Sequence, residues 1–174
     1  MPAPRYLTAL LSLLAFGAAL AQAPQTTPSL ASKAPFNAML GTWKGSGWAS
    51  QGPNKRVTFN QTEVLSAKAD GNVITVEGTG SDPKTGKVTF TAFAVAAFDN
   101  DGKVTWTAYS GGYAATQVLR TTKNSFTWFI DVEGGQVRYT SRAVGNKWTD
   151  TGVFSADGGK TWFPTFEMTL TKVE

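Results

Sequence analysis

From Gly41 to Lys172 the apolar residues of this chain recur at every second position, and turn signals break the alternation roughly every 8–14 residues. A period of two sends successive side chains to opposite faces of a strand, whereas a helix needs a period of 3.6. The pattern therefore specifies an all-β barrel or sandwich. Ten or so strands are marked out, near 42–49, 56–65, 73–80, 87–98, 103–110, 115–121, 125–132, 136–144, 147–155 and 161–173. No repeat of 20–50 residues is present, so a propeller or solenoid is not indicated.

Turn chemistry pairs some of these strands. Asp70-Gly71 tolerates the two positive φ values of a type I′ hairpin, which sets Leu65 against Val76 and Glu63 against Gly78. The face holding Val57, Phe59, Gln61, Glu63 and Leu65 then points inward, and Glu77 points out. A slip of one residue would put Glu63 and Glu77 opposite each other, which the apolar pattern disfavours. Gly134-Gly135, read by the same rule, pairs Val132 with Val137, Ile130 with Tyr139 and Trp128 with Ser141, and sets Asp131 against Arg138 as an exposed cross-strand ion pair. Gly145-Asn146 sets Ala143 against Trp148, Ser141 against Asp150 and Tyr139 against Gly152, so Asp150, like Glu63, is expected inside.

Ser155 to Trp162 (SADGGKTW) has the spacing of an Asp-box, a turn in which an Asp side chain ties backbone amides and an aromatic packs beneath. It occurs once, and the expectation is a structural hairpin joining the last two strands rather than a sugar site. Pro164 can reverse the phase of the final strand before Phe166.

The N-terminus has a separate character. Arg5 precedes an uncharged apolar run from Tyr6 to Leu20, and Ala19-Leu20-Ala21 supplies small residues at the positions a signal peptidase needs. The run is shorter than the roughly 20 residues that cross a bilayer. A secretory signal over 1–21 is therefore expected, cleaved after Ala21, with a periplasmic or secreted product and no later membrane-spanning segment. Removing those 21 of 174 residues leaves 153, enough for one domain. Residues 22–32 have the composition of a disordered tether, and 33–174 form the domain, opened by one or two helical turns that place Phe36, Met39 and Leu40 on one side.

Missing residue types narrow the chemistry. The chain has no cysteine, hence no disulfide, thiolate nucleophile or thiolate metal site. It has no histidine, which removes a Ser-His-Asp triad, a His-ligated zinc and a neutral-pH imidazole shuttle. Its sixteen Lys and Arg are scattered, Lys55-Arg56 being the only adjacent pair, so no nucleic-acid partner is expected.

Gly41-Thr42-Trp43 opening the first strand and a basic residue near the end of WFPTFEMTLTK resemble the closure of lipocalin-like barrels, in which the cation lies over the indole face. The run from Met39 to Gly47 (MLGTWKGSG), the later Phe59-x-Gln61-x-Glu63 and the stretch from Asp157 to Lys172 resemble an uncharacterised bacterial lipocalin-like family, a domain of unknown function. The resemblance spans nearly the whole mature chain and implies an antiparallel up-and-down barrel of about ten strands, related in fold to nitrobindin-like and fatty-acid-binding barrels. Lys172 stands where many relatives have Arg. Nitrobindin-like barrels hold haem through a histidine; this chain has none, so the resemblance carries the fold without the haem and no cofactor is expected. A tyrosine ligand from Tyr109, Tyr113 or Tyr139 is the remaining route, and no Arg or His accompanies it.

Inside such a barrel the candidate ligand-binding residues are Trp43, Phe59, Trp128, Ile130, Tyr139, Trp148, Phe166 and Met168, with Glu63 and Asp150 as the few polar groups. Taken singly, each aromatic reads equally as core. Three readings follow: an exported carrier or sensor of a small apolar or amphiphilic molecule, an enzyme using Glu63 and Asp150 as an acid/base pair, and a ligand-free envelope protein acting through its surface. The first is the leading expectation.

Overall fold

The structure is a computed structural model that describes residues 33–52 and 54–173. The expected signal segment and tether lie outside the described residues. A short helix, α1 (Phe36–Met39), precedes eleven strands: β1 (Gly41–Ser50), β2 (Arg56–Lys68), β3 (Val73–Ser81), β4 (Val88–Phe98), β5 (Val104–Ser110), β6 (Tyr113–Val118), β7 (Arg120–Thr121), β8 (Ser125–Val132), β9 (Gly135–Val144), β10 (Lys147–Ser155) and β11 (Phe163–Lys172). All pair antiparallel in one sheet, in the order β6-β5-β4-β3-β2-β1-β11-β10-β9-β8-β7. Except for β6 and β7, which end the order on opposite edges, successive strands are neighbours, and β1 pairs with β11, so the sheet rolls up into a nearly closed, lipocalin-like barrel.

The sixth strand explains eleven instead of ten. It begins at Tyr113 and breaks at Leu119, whose side chain is buried and whose amide donates to the Val104 carbonyl at 3.0 Å. The half above the break pairs with β5, while below it Arg120 and Thr121 pair with β8. The upper parts of β6 and β8 therefore share no ladder. A side chain spans the gap instead: the Gln117 amide donates to the Phe129 carbonyl at 2.8 Å and accepts from the Phe129 amide at 2.9 Å.

One end of the barrel is plugged. Phe36 is fully buried, stacked on Phe126 with 4.6 Å between centroids, edge-on to Phe98 at 5.8 Å and beside Trp106 at 6.2 Å. Trp43 is 0% exposed, donates its indole N–H to the Met39 carbonyl at 2.7 Å, and meets Trp148 edge-on at 5.9 Å. The Lys172 ammonium lies 5.6 Å from the Trp43 ring centre, which is the closure anticipated from the first and last strands. Burying these rings supplies the main favourable term for a barrel without disulfides.

Two registers stand as read and one does not. Leu65 faces Val76, Glu63 faces Gly78, and Ser141 faces Asp150. The first of these hairpins is wider than a two-residue turn, since Ala69, Asp70 and Gly71 all have positive φ and Lys68 faces Val73. The β8–β9 register is shifted by two: Val132 faces Gly135, Ile130 faces Val137 and Trp128 faces Tyr139. Gly135 is a strand residue, glycine because a Cβ there would run into the Ser155 carbonyl and the Phe154 ring. Asp131 accordingly faces Gln136, whose amide donates to it at 3.1 Å, and Arg138 lies over the Trp162 ring at 4.3 Å instead of pairing with Asp131. A shift of two leaves the faces unchanged.

The Ser155–Trp162 turn joins β10 to β11 as expected. The Asp157 carboxylate accepts from the amides of Lys160 and Thr161 and from the Ser155 and Thr161 hydroxyls, at 2.6–3.0 Å. The Trp162 indole donates to the Gly159 carbonyl at 3.0 Å. Past Pro164 the register shifts, Gly152 facing Phe166 while Val153 faces Pro164.

Candidate functional site

The barrel interior is layered from the plugged end to the mouth. Lowest are Trp43, Leu65, Ile74, Trp148 and Leu170, all buried. The middle layer is polar: Gln61 and Glu63 on β2, Ser141 on β9 and Asp150 on β10. Above it stand four half-buried aromatics, with Phe59 stacked on Phe166 at 5.7 Å, Phe166 edge-on to Tyr139 at 5.7 Å, and Tyr139 stacked on Trp128 at 5.0 Å. On the far wall the inward positions at mid-height are small, Ala92 and Ala94 on β4 and Ala108 on β5, with Phe90 towards the mouth and Trp106, beside Ala96, and Phe98 towards the plug. This mouth end of the interior, aromatic on one side, small on the other and polar beneath, is the cup; the surface hollows of about 430 and 400 Å³ on β4–β6 and at the β6–β8 seam are lined by none of Phe59, Glu63, Trp128, Tyr139, Asp150 and Phe166.

Glycine makes room for that floor. A Cβ at Gly78 would stand 2.8 and 3.0 Å from the Glu63 carboxyl oxygens, so glycine opposite Glu63 is what lets the carboxyl lie flat against β3. Gly152 does the same for Tyr139, whose ring would be 2.8 Å from an added Cβ.

Both carboxyls are shielded from water, Glu63 being 8% and Asp150 5% exposed. Burial pushes Glu63 up to about 7, against the downward pull of the Gln61 amide, which donates to it at 2.7 Å. Burial also pushes Asp150 up to about 7; hydrogen bonding from Ser141 lowers it, and the nearby Glu63 charge raises it again. Burial and the Asp150 charge raise the Tyr139 phenol in turn. A carboxyl near 7 is a hydrogen-bond donor when protonated and an acceptor when ionised, so this floor offers both at neutral pH. One buried polar atom of the floor, Asp150 Oδ1, finds no hydrogen-bonding partner, and neither do Asn72 Oδ1, the Trp106 indole nitrogen and Thr165 Oγ1 elsewhere. Buried polar atoms are satisfied in the great majority of proteins, so such atoms mark positions for a further partner.

The residues picked from the sequence divide accordingly. Glu63 and Asp150 come together on the floor, with Met168 buried opposite Asp150; Phe59, Trp128, Tyr139 and Phe166 form the wall above; Trp43 and Trp148 are buried beneath as core. Ile130 shares the inward phase of Trp128 but stands nearer the mouth and is 38% exposed, because β8 has no strand partner on its seam side at this height. It borders a hollow of about 400 Å³ with Gln117, Phe129 and Asp131. Missed were Gln61, which holds Glu63, Trp106, which the inward phase of Val104 would have marked, and Gln117, whose seam role has no sequence signal. No metal-binding cluster of acidic residues occurs among the described residues.

This cup defines the protein as an all-β, antiparallel lipocalin-like barrel with one plugged and one open end. Among solved structures the chain is similar to Rv2717c from M. tuberculosis, at 11% identity and a TM-score of 0.61, over 85% of this chain and 100% of that one. It is also similar to the S-type phycobiliprotein lyase CPES from Guillardia theta, at 11% identity and a TM-score of 0.56, over 80% of this chain and 90% of that one. At such identity the likeness is one of fold. No protein-family model and no curated protein sequence matches the chain.

Proposed function

We propose that this barrel is an exported carrier or sensor of a small amphiphilic molecule, its apolar body against Phe59, Trp128, Tyr139 and Phe166 and its polar group reaching the Glu63–Asp150 floor. The observation that carries this is the partnerless, buried Asp150 Oδ1 beneath an aromatic layer that stays half-exposed at the mouth. Few polar groups under an apolar wall orient a ligand while burial supplies affinity. Export, and kinship with the uncharacterised bacterial lipocalin-like family, rest on sequence alone: the Arg5–Ala21 segment for the first, and the Met39–Gly47 and Asp157–Lys172 motifs for the second. The fold is shared with a named lyase, and folds of this kind serve several functions, so the argument rests on the site.

The test is a titration of the purified protein with N-phenyl-1-naphthylamine, a neutral aromatic amine, read by energy transfer from tryptophan. Saturable one-to-one binding is expected, weakened about tenfold by Asp150→Leu, which removes the acceptor. Absence of saturable binding would contradict the proposal.

A further inference from the structure

We infer that the mouth of the barrel docks on a lipid surface. Large apolar side chains stand exposed at the mouth end of strands all around the circumference: Val57 on β2, Val88 and Phe90 on β4, Tyr113 on β6, Val132 on β8 and Phe163 on β11. Tyr113 is 85%, Phe163 61% and Phe90 49% exposed. Each lies within three residues of its strand's mouth end, and the strands that carry them run right round the sheet order. The opposite end buries its aromatics under α1.

A ring of this kind is unlike singly scattered surface apolar residues, which need no explanation. Its occupant is argued from the charges beside it. Lys55, Arg56, Lys84, Lys87 and Lys160 are exposed in or beside the mouth connections, interleaved with the apolar ring. Long cationic side chains beside apolar ones suit the boundary between lipid tails and anionic headgroups, where stems lie in the apolar zone and charges reach out. Four acidic residues share this end. Of these, Asp82 and Asp157 are held ionised in their own turns by amide hydrogen bonds, Asp131 accepts from Gln136, and Glu133 is the fourth, so the five cations of the rim are set against four carboxylates. A protein partner would equally cover apolar area, but a closed ring around an open cup fits a flat, deformable surface into which every side of the rim can dip at once. Docking there would place the cup directly over the bilayer, so that an amphiphile moves between lipid and barrel without crossing water.

The experiment is co-sedimentation of the purified protein with vesicles of phosphatidylglycerol and phosphatidylcholine, at low and high salt. Binding is expected, tighter to phosphatidylglycerol at low salt. The double variant Phe90→Ser/Phe163→Ser should lose about tenfold or more, because two exposed aromatics no longer enter the interface. Val144→Ser/Val173→Ser, at the plugged end, should bind as the parent does. Both pairs are exposed, so folding should survive, and an unchanged near-ultraviolet circular dichroism spectrum checks it. Failure to bind either vesicle, or equal loss from the two double variants, overturns the inference. So does self-association that Phe90→Ser/Phe163→Ser abolishes without vesicle binding, which assigns the ring to a second copy of the chain. The naphthylamine titration does not use vesicles, so cup and rim are judged separately.

Discussion

Gln117 and Phe129 are joined by a pair of hydrogen bonds, 2.8 and 2.9 Å long, in which a side-chain amide takes the place of a missing peptide group. The pair holds β6 to β8 above the point where the ladder runs out. Gln117→Ala should cost about 1–2 kcal/mol, the net worth of two ordinary hydrogen bonds, and should speed amide exchange at Phe129 more than anywhere in β1 or β11. Urea unfolding and residue-resolved hydrogen exchange measure the two. Unchanged exchange at Phe129 would show that the seam holds without the amide.

At the other closure, Trp43 and Lys172 should differ sharply in weight. Trp43→Ala removes a fully buried ring and the bond to the Met39 carbonyl, for a loss of about 3–5 kcal/mol. Lys172→Met keeps the stem and loses only the charge over the ring, about 0.5–1 kcal/mol. Equal losses in urea unfolding would refute this ranking.

The floor carboxyls fix a pH dependence. Glu63 and Asp150 both titrate higher in the folded protein, near 7, than in the unfolded chain, so the folded state holds more protons between about pH 4 and 7. Their contribution is present in full at the acid side of that window and is lost as pH rises through 7, with a slope of at most about 1.4 kcal/mol per pH unit for each group. Asp82 and Asp157 act oppositely. Amide hydrogen bonds lower both, Asp157 to about 2, so their support is present above about pH 4 and disappears as pH falls below it. The double variant Glu63→Gln/Asp150→Asn should flatten the upper window alone. Thermal unfolding at pH 3, 5, 7 and 9 gives the profile, and a slope between pH 4 and 7 that survives in the variant would contradict the assignment.

Asp157→Ala should lower the melting temperature while leaving naphthylamine binding unchanged, because the carboxylate serves the β10–β11 turn and not the cup. Loss of probe binding with an intact melt would reverse that reading.

Much of this was legible because a strand's two-residue period reports faces even when pairing is misjudged. Glu63 and Asp150 were placed inside from the Asp70-Gly71 and Gly145-Asn146 turns, and both are buried. The Gly134-Gly135 misreading shifted β8 by two and cost the Asp131–Arg138 pair, yet no face. Its source is physical: Gly135 is glycine because β10 comes close, and a sequence does not separate that reason from turn geometry. The break at Leu119 was hidden because its neighbours carry ordinary strand residues, and the bend is set by where the Leu119 side chain finds the core. The exposure of Ile130 was hidden for the same cause, being set by the absent ladder beside it.

The central claim, that the cup holds a small amphiphile, is tested most directly by native mass spectrometry of the protein purified from its own host, followed by denaturing extraction. The expected result is a reproducible added mass that leaves on unfolding and is reduced or lost in Asp150→Leu. A bare mass, repeated after incubation with the host's lipid extract, would contradict it.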